Sequence, residues 1–397
     1  MKGWEVKTLG DVCKVIAGQS PEGKHYNGSG EGLPFYQGKK DFGDKFIEAP
    51  RVWTSDVTKE AEAGDILMSV RAPVGPINFS TTKICIGRGL ASIRVLKAID
   101  REFLFYMLLS KQGEISGNEG AVFASINKSQ IEAIKVAVPN MREQRRIVAI
   151  LDEAFAWLEV LRANAEKNLQ NARDLFDSYL NSASLFEGKE VATRQLATLC
   201  DRDRIITYGV IKLGEAVSGG VPCLRTSNVR WLDIETEGMK HIAVALSNEY
   251  RRTILRGGEV LVNVRGTLGG VAVVKPEMVG WNVSREIAVV PIDINKIDSF
   301  YLAYWIGRKA SQSWLTGVLK GAAYTGINIE DLRELPVVFP SLQAQRGIVK
   351  HLDRLLIDCR LLEALYSQKL AAIAELKQSI LQKAFSGQLT SAETVAA

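Results

Sequence analysis

The sequence predicts a mixed α/β protein with an internal pseudo-twofold repeat. Two similar globular domains with curved, largely antiparallel sheets are joined by two long helices that pair as an antiparallel coiled coil. Three observations predict this: one stretch is written twice, each copy runs into a long helical apolar stripe, and the rest is short β-type runs broken by turns.

The repeat comes first. "GAVFASINKSQIEAIKVAVPNMREQRRIVAILD" (120–152) lies without a gap over "GAAYTGINIEDLRELPVVFPSLQAQRGIVKHLD" (321–353), about two hundred residues on. Identities fall at Gly120, Ala121, Ile126, Asn127, Val136, Pro139, Gln144, Arg145, Ile147, Val148, Leu151 and Asp152. Upstream, "GDILMSVRAPVG" (64–75) matches "GEVLVNVRGTLG" (258–269), setting Arg71 opposite Arg265. Each is followed by a strand-like run, "RGLASIRV" or "SREIAVVPI", and then by an aromatic helix-like stretch, "FLFYMLL" or "FYLAYWIG". The order of elements is therefore duplicated along with the residues.

The helices start after "VAVPN" and "VVFPS". Asn140 is placed to cap the first, with Glu143 three residues on, and Ser341 the second. From there Ile147, Leu151, Ala154, Leu158, Leu161, Ala165, Leu169, Ala172, Phe176, Tyr179 and Ala183 recur at coiled-coil spacing. Ile348, Leu352, Leu355, Cys359, Leu362, Tyr366, Leu370, Ile373, Ile380 and Ala384 follow in the same phase. Gly188 and Gly387 are expected to close the helices. Each helix, about forty residues and roughly 60 Å long, is too long for one domain and calls for a partner. The resulting divisions are domains at 1–139 and 189–340, helices at 140–188 and 341–387, and a flexible tail at 388–397. In the globular parts "EVLVNVRG", "GVAVVK" and "EIAVVPI" are β-type runs between Gly, Pro and Asn turns.

Composition narrows the function. With 397 residues, 24% charged, 46% hydrophobic and no apolar run near twenty residues, the chain reads as globular, without a membrane span or signal peptide, and cytoplasmic. Five scattered cysteines without a CxxC pair and three distant histidines suggest no disulfide framework, no metal site and no serine-histidine-acid triad. The net charge of +5 is compatible with a polyanionic partner.

"VIAGQSPEGKHYN" (15–27) has the glycine and lysine spacing of a phosphate loop. That loop needs Ser or Thr after the lysine and a helix beginning there, whereas His25 and "YNGSGEG" follow. A turn presenting Lys24 and Tyr26 fits better. The chain also lacks the Asn/Asp-Pro-Pro-aromatic run of amino-methyltransferases. No catalytic residue is assigned.

The ordered set resembles the specificity subunits of type I restriction-modification systems. The residues that carry the resemblance are "WEVKTLGDVCKVIAGQSP", "GLPFYQGKKDFGD", the paired "GDILMSVR" and "GEVLVNVR", the two helix starts with Pro, then Gln-Arg, then Ile-Val, and the closing "LKQSILQKAFSGQL". The resemblance implies that each globular half is a target-recognition domain reading one part of a split, asymmetric double-stranded DNA site. It implies helices that act as spacer and as docking surface for two modification subunits, which carry S-adenosylmethionine and methylate adenine. Separate restriction subunits would carry ATP and magnesium for translocation and cleavage, leaving no cofactor in this chain. Two such domains meeting one side of a duplex are expected roughly 34 Å apart, one helical turn.

Candidate DNA-binding residues are the basic side chains of the turn-rich parts: Lys39, Lys40, Arg71 and Arg88 in the first half, and Arg225, Arg230, Arg265, Arg285 and Lys320 in the second. Arg71 and Arg265, repeated in domains that read different sequences, suit the DNA backbone or the fold rather than bases. Phe35, Tyr36 and Trp231 suit either base contact or packing. Gln144, Arg145, Gln345 and Arg346 suit either a modification-subunit contact or a tie between helix and domain. The competing reading is a coiled-coil scaffold that joins two protein-binding domains without a DNA role.

Overall fold

The computed structural model describes residues 3–116, 125–317 and 326–389. Lys320, the Gly120–Ala121 and Gly321–Ala322 pairs of the repeat, and all but the first two residues of the 388–397 tail lie outside the described residues. The chain divides into two compact units, one of Met1–Glu166 and Gln368–Ala397, the other of Lys167–Ser367. Each holds one globular domain and a stretch of both long helices.

In the first unit a four-stranded antiparallel sheet has the order Cys13–Ala17, Leu90–Val95, Ile66–Ser69, Ile77–Phe79. In the second, Thr207–Tyr208, Ile287–Val290, Val260–Asn263 and Val271–Val273 take the same order. The central strands Ile66–Ser69 and Val260–Asn263 are buried along their whole length because both faces of the sheet are covered. Ile66 and Met68 enter the core around helix Arg101–Ser110, while Leu67 enters a smaller core with Tyr36 and Ile86. Val260 and Val262 enter the core around helix Ser299–Gly307, and Leu261 a second one with Leu224 and Val283. These two helices are apolar nearly all round because they are buried, and Asp100 and Asp298 cap them by accepting the N–H groups of Glu102 and Phe103, or of Phe300 and Tyr301.

A parallel pair recurs beside the sheet: Phe35 and Tyr36 align with Cys85 and Ile86, and Cys223 and Leu224 with Asn282 and Val283. Around this shared pair the units differ. The first builds a five-stranded sheet that adds Tyr26–Asn27, Trp53–Thr54 and Glu60–Ala61; the second adds only Lys240–Ile242.

The long helices run Met141–Leu180 and Leu342–Phe385. Asn140 Oδ1 accepts the N–H of Glu143 (3.0 Å) and Ser341 Oγ that of Ala344 (3.4 Å), so both caps form where the sequence puts them. Gly387 closes the second helix in the left-handed region at φ 77°, with Gln388 and Leu389 donating back to the Lys383 carbonyl. Gly188 does not close the first. Asn181 and Ser182 turn their side chains back onto the carbonyls of Asp177 and Tyr179, competing with the next helical turn, and a 3-10 turn Ala183–Phe186 leads on to Gly188.

Within each unit the helices pack antiparallel. In the second, Arg173 pairs with Glu363 (3.6 Å), Cys359 and Phe176 share a core, and Tyr179 lies 5.1 Å from the His351 ring. In the first, Ile147 and Leu151 share a core with Leu381 and Ala384, and Lys377 lies over the Phe155 ring at 5.1 Å. Two stripe positions depart from expectation: Leu161 is 52% exposed and Leu362 36%. The packed seam is narrower than the apolar stripe, because Leu158 and Cys359 already fill it.

Candidate nucleic-acid interface

Each helix start is locked to its domain by one buried glutamine. Gln144 Oε1 accepts the N–H of Asp100 (2.7 Å) and its Nε2 donates to the carbonyls of Pro139 (2.8 Å) and Ala98 (3.4 Å). Gln345 repeats this on Asp298 (2.8 Å), Pro340 (2.9 Å) and Lys296 (3.3 Å). Both glutamines are fully buried, so they act as ties inside each unit; the neighbouring Arg145 and Arg346 are exposed. A second tie follows, in which the Tyr106 hydroxyl donates to Asp152 and that of Tyr304 to Asp353 (2.6 Å). Burial pushes the Tyr106 hydroxyl up to about 12 and raises that of Tyr304 as well, which keeps both protonated as donors.

The repeated arginines sit at one corner of each domain. After Ile66–Ser69 the chain continues to Arg71, bridged to Ser125, and the Val70 N–H donates to Gly89 beside Arg88. After Val260–Asn263 it continues to Arg265, bridged to Gly326, and the Val264 N–H donates to Glu286 beside Arg285. Arg71 with Arg88 thus matches Arg265 with Arg285 residue for residue. The backbone is drawn in tightly there: a Cβ on Gly18 would lie 2.2 Å from the Gly87 carbonyl oxygen, and one on Gly209 1.9 Å from that of Val283.

In the second unit this corner opens into a cleft of about 740 Å³ lined by Tyr208, Tyr250, Arg251, Arg252, Arg265 and Arg285, with Glu249 as its one carboxylate. Arg265 lies over the Tyr208 ring at 5.1 Å. Arg251, Arg252 and Arg285 are exposed and make no ion pair with any described residue. The wall carrying Arg251 and Arg252 is fixed from beneath by Asn282, whose side chain is wholly buried. Asn282 Oδ1 accepts the Thr253 hydroxyl (2.7 Å), and Nδ2 donates to Ser247 Oγ (3.1 Å) and to the carbonyls of Ser247 (3.3 Å) and Tyr250 (3.5 Å). Both ends of the 247–253 segment are therefore held by one side chain.

Other candidates are otherwise engaged. Arg225 Nη2 donates to the Gly238 carbonyl (2.8 Å) and half-buries as a loop tie, and Arg230 pairs with Glu235 (3.2 Å). Trp231 packs edge-on against Tyr304, ring centroids 6.2 Å apart, and Phe35 and Tyr36 are buried, so these three aromatics serve packing in their own units.

The first unit offers a smaller pocket of about 110 Å³ between Tyr26, Phe35, Gln37, Lys40 and Arg51. Tyr26 stacks on Phe35 at 4.8 Å and donates to the Pro21 carbonyl. Desolvation raises its hydroxyl, and the Arg88 N–H donates to Ser20 Oγ (3.2 Å). Lys39 and Lys40 are exposed on the 3-10 turn Lys39–Asp41. The phosphate-loop spacing resolves into a 3-10 turn, Gly23–His25, and then a two-residue strand, with Lys24 paired to Glu22. Arg51, Arg251 and Arg252 were not among the candidates from sequence. The signal for Arg251 and Arg252 is faint, Tyr-Arg-Arg in a stretch with no repeat partner, and Arg51 stands alone in Ala-Pro-Arg-Val-Trp.

The helices carry exposed apolar side chains at repeat-equivalent places. Val160, Leu161 and Leu376 in the first unit are 52, 52 and 48% exposed; Leu361, Leu362 and Leu175 in the second are 64, 36 and 46%. Trp157 (65%) extends the first patch, and Ile357 (58%) and Leu365 (44%) the second. Among the described residues no helix is long and apolar enough to cross a membrane.

A family model described as type I restriction modification DNA specificity domain matches residues 1–168 and 212–370. The chain is 42% identical over 169 residues to a putative type I restriction enzyme MjaX specificity subunit of Methanocaldococcus jannaschii, covering 41% of this chain and 39% of that protein. It is 23% identical over 342 residues to the type I restriction enzyme EcoBI specificity subunit of Escherichia coli, covering 79% of this chain and 72% of that one. A chain solved in work on the complex assembly and conformational transition of the type I R-M system superposes with TM-score 0.73 at 20% identity, covering 98% of this chain and 99% of the other, and shares the fold.

Proposed function

We propose, from the premise that this chain belongs to the type I restriction modification DNA specificity family, that it selects the DNA site of a multisubunit modification and restriction enzyme. Each unit reads one half of a split, asymmetric double-stranded sequence. The observation that carries this reading is one frame used twice to present two different basic faces. The arginine corner is common to both, Arg71 with Arg88 and Arg265 with Arg285, while the surroundings differ: Lys40, Arg51 and a Tyr26–Phe35 stack in one, Arg251, Arg252 and two tyrosines in the other. Basic side chains interleaved with aromatics suit a phosphate backbone and base edges.

The chain supplies site choice, and the chemistry belongs to its partners. Modification subunits bring S-adenosylmethionine and methylate adenine; restriction subunits bring ATP and magnesium for translocation and cleavage. The matched apolar patches around Val160 and Leu361 fit two copies of one modification subunit, one per unit. Removing the apolar surface by Val160→Asp or Leu361→Asp is expected to leave one modification subunit bound instead of two, read by native mass spectrometry. Retention of both in either variant contradicts this assignment.

The DNA reading is tested by duplex binding of the chain assembled with its modification subunit across a salt series. The logarithm of the affinity should fall linearly with the logarithm of salt, by about 0.9 per phosphate neutralised, with one duplex sequence preferred. Binding that is absent, or insensitive to salt, favours a protein-binding scaffold instead.

A further inference from the structure

The cleft of the second unit holds two kinds of arginine. Arg265 and Arg285 have residue-for-residue counterparts in Arg71 and Arg88, at the ends of equivalent strands and in the same register. Arg251 and Arg252 have none: where the second unit runs through helix Val244–Glu249 and the 3-10 turn Arg251–Thr253, the first runs through strands Trp53–Thr54 and Glu60–Ala61. A side chain common to two readers of different sequences suits what the half-sites share, the phosphate backbone, or the fold itself. A side chain private to one reader is free to specify.

Resting on the DNA reading above, we infer that Arg251 and Arg252 determine the sequence of the half-site read by the second unit, whereas Arg265 and Arg285 hold its phosphates. Three features of the segment support base readout. Its arginines are exposed, they make no ion pair with described residues, and Asn282 clamps the segment at Ser247, Tyr250 and Thr253, so its position is set before DNA arrives. The fork of an arginine matches the O6 and N7 atoms of guanine, which places at least one guanine in that half-site. Glu249, on the same wall, would discourage a phosphate from lying directly against the segment.

The test is selection from a random duplex library by the assembled chain and modification subunit, comparing wild type, Arg251→Gln, Arg252→Gln, Arg252→Lys and Arg265→Gln. For wild type a bipartite motif is expected; its absence overturns the DNA reading itself and this inference with it. Given that motif, Arg251→Gln or Arg252→Gln should relax guanine preference at a position of one half-site about tenfold or more, leaving the other half-site unchanged. Arg252→Lys, which keeps the charge and loses the fork, should relax the same position while retaining affinity for unrelated duplex. Arg265→Gln should leave the motif intact, weaken all duplexes alike and lower the salt slope by about one. An unchanged motif in both 251 and 252 variants, or an altered one in Arg265→Gln, overturns the division of labour and leaves the DNA reading standing.

Discussion

In the first unit the loop residue Lys45 reaches Glu102 (2.9 Å), Asp152 (3.5 Å) and the Tyr106 hydroxyl (3.3 Å); in the second, the equivalent Tyr304–Asp353 tie meets the edge of Trp231 instead. The tie is the same and what rests on it differs. This holds across the molecule. Sheet order, capped buried helices, glutamine ties and the arginine corner are duplicated, whereas the parts between the parallel strands have different lengths, secondary structure and polar anchors. A frame held by its own buried hydrogen bonds leaves the recognition parts free to diverge without loss of the fold.

The comparison is sharpest at the buried carboxylate that opens each central strand. Glu259 is paired with Arg204 (2.8 Å), with side chains only 3% and 12% exposed. Asp65 holds Arg94 (2.8 Å), which is 34% exposed, and also accepts the Ser92 hydroxyl (2.7 Å) and the Glu62 N–H (2.9 Å). Arg204→Met leaves the buried Glu259 with the Arg256 N–H (2.8 Å) but no countercharge among the described residues, and is expected to destabilise the second unit by about 3–5 kcal/mol. Arg94→Met should cost the first unit less, about 1–3 kcal/mol, because Arg94 is more exposed and Asp65 keeps two donors, the Ser92 hydroxyl and the Glu62 N–H. Chemical denaturation of the full chain gives both values, and equal costs would show that the two pairs are not distinguished by burial.

A smaller effect tests the sameness of the frame. Gln144→Ala and Gln345→Ala each remove the same three hydrogen bonds from a buried site and should each cost about 1–3 kcal/mol, matched within about 0.5 kcal/mol. A large difference would break the equivalence of the two helix starts. Smaller still, Arg71→Ala and Arg265→Ala should each reduce the salt slope of DNA binding by about one, without altering either half-site.

Much of this was legible in the sequence because repetition is a strong signal. The gapless match fixed the two long helices and their caps at Asn140 and Ser341, and the paired "VR" runs located the corner of Arg71 and Arg265. The end of the first helix was not legible, since Gly188 is a weaker stop than side chains at Asn181 and Ser182 that bond back to the helix. Nor was the setting of Gln144 and Gln345, which sequence left open between partner and tie: both are buried and hydrogen-bonded to their own domain. Arg251 and Arg252 were missed for a physical reason. Their setting depends on Asn282, about thirty residues away along the chain, and hydrogen bonds at that separation leave no periodicity to read.

The central claim, one unit to one half-site, is tested most directly by single-molecule sequencing of adenine methylation in cells that carry only this chain and its modification subunit. A bipartite, asymmetric motif methylated throughout the genome, and lost when the chain is deleted, is the expected result. Absence of any such motif, with both proteins expressed and assembled, would contradict it.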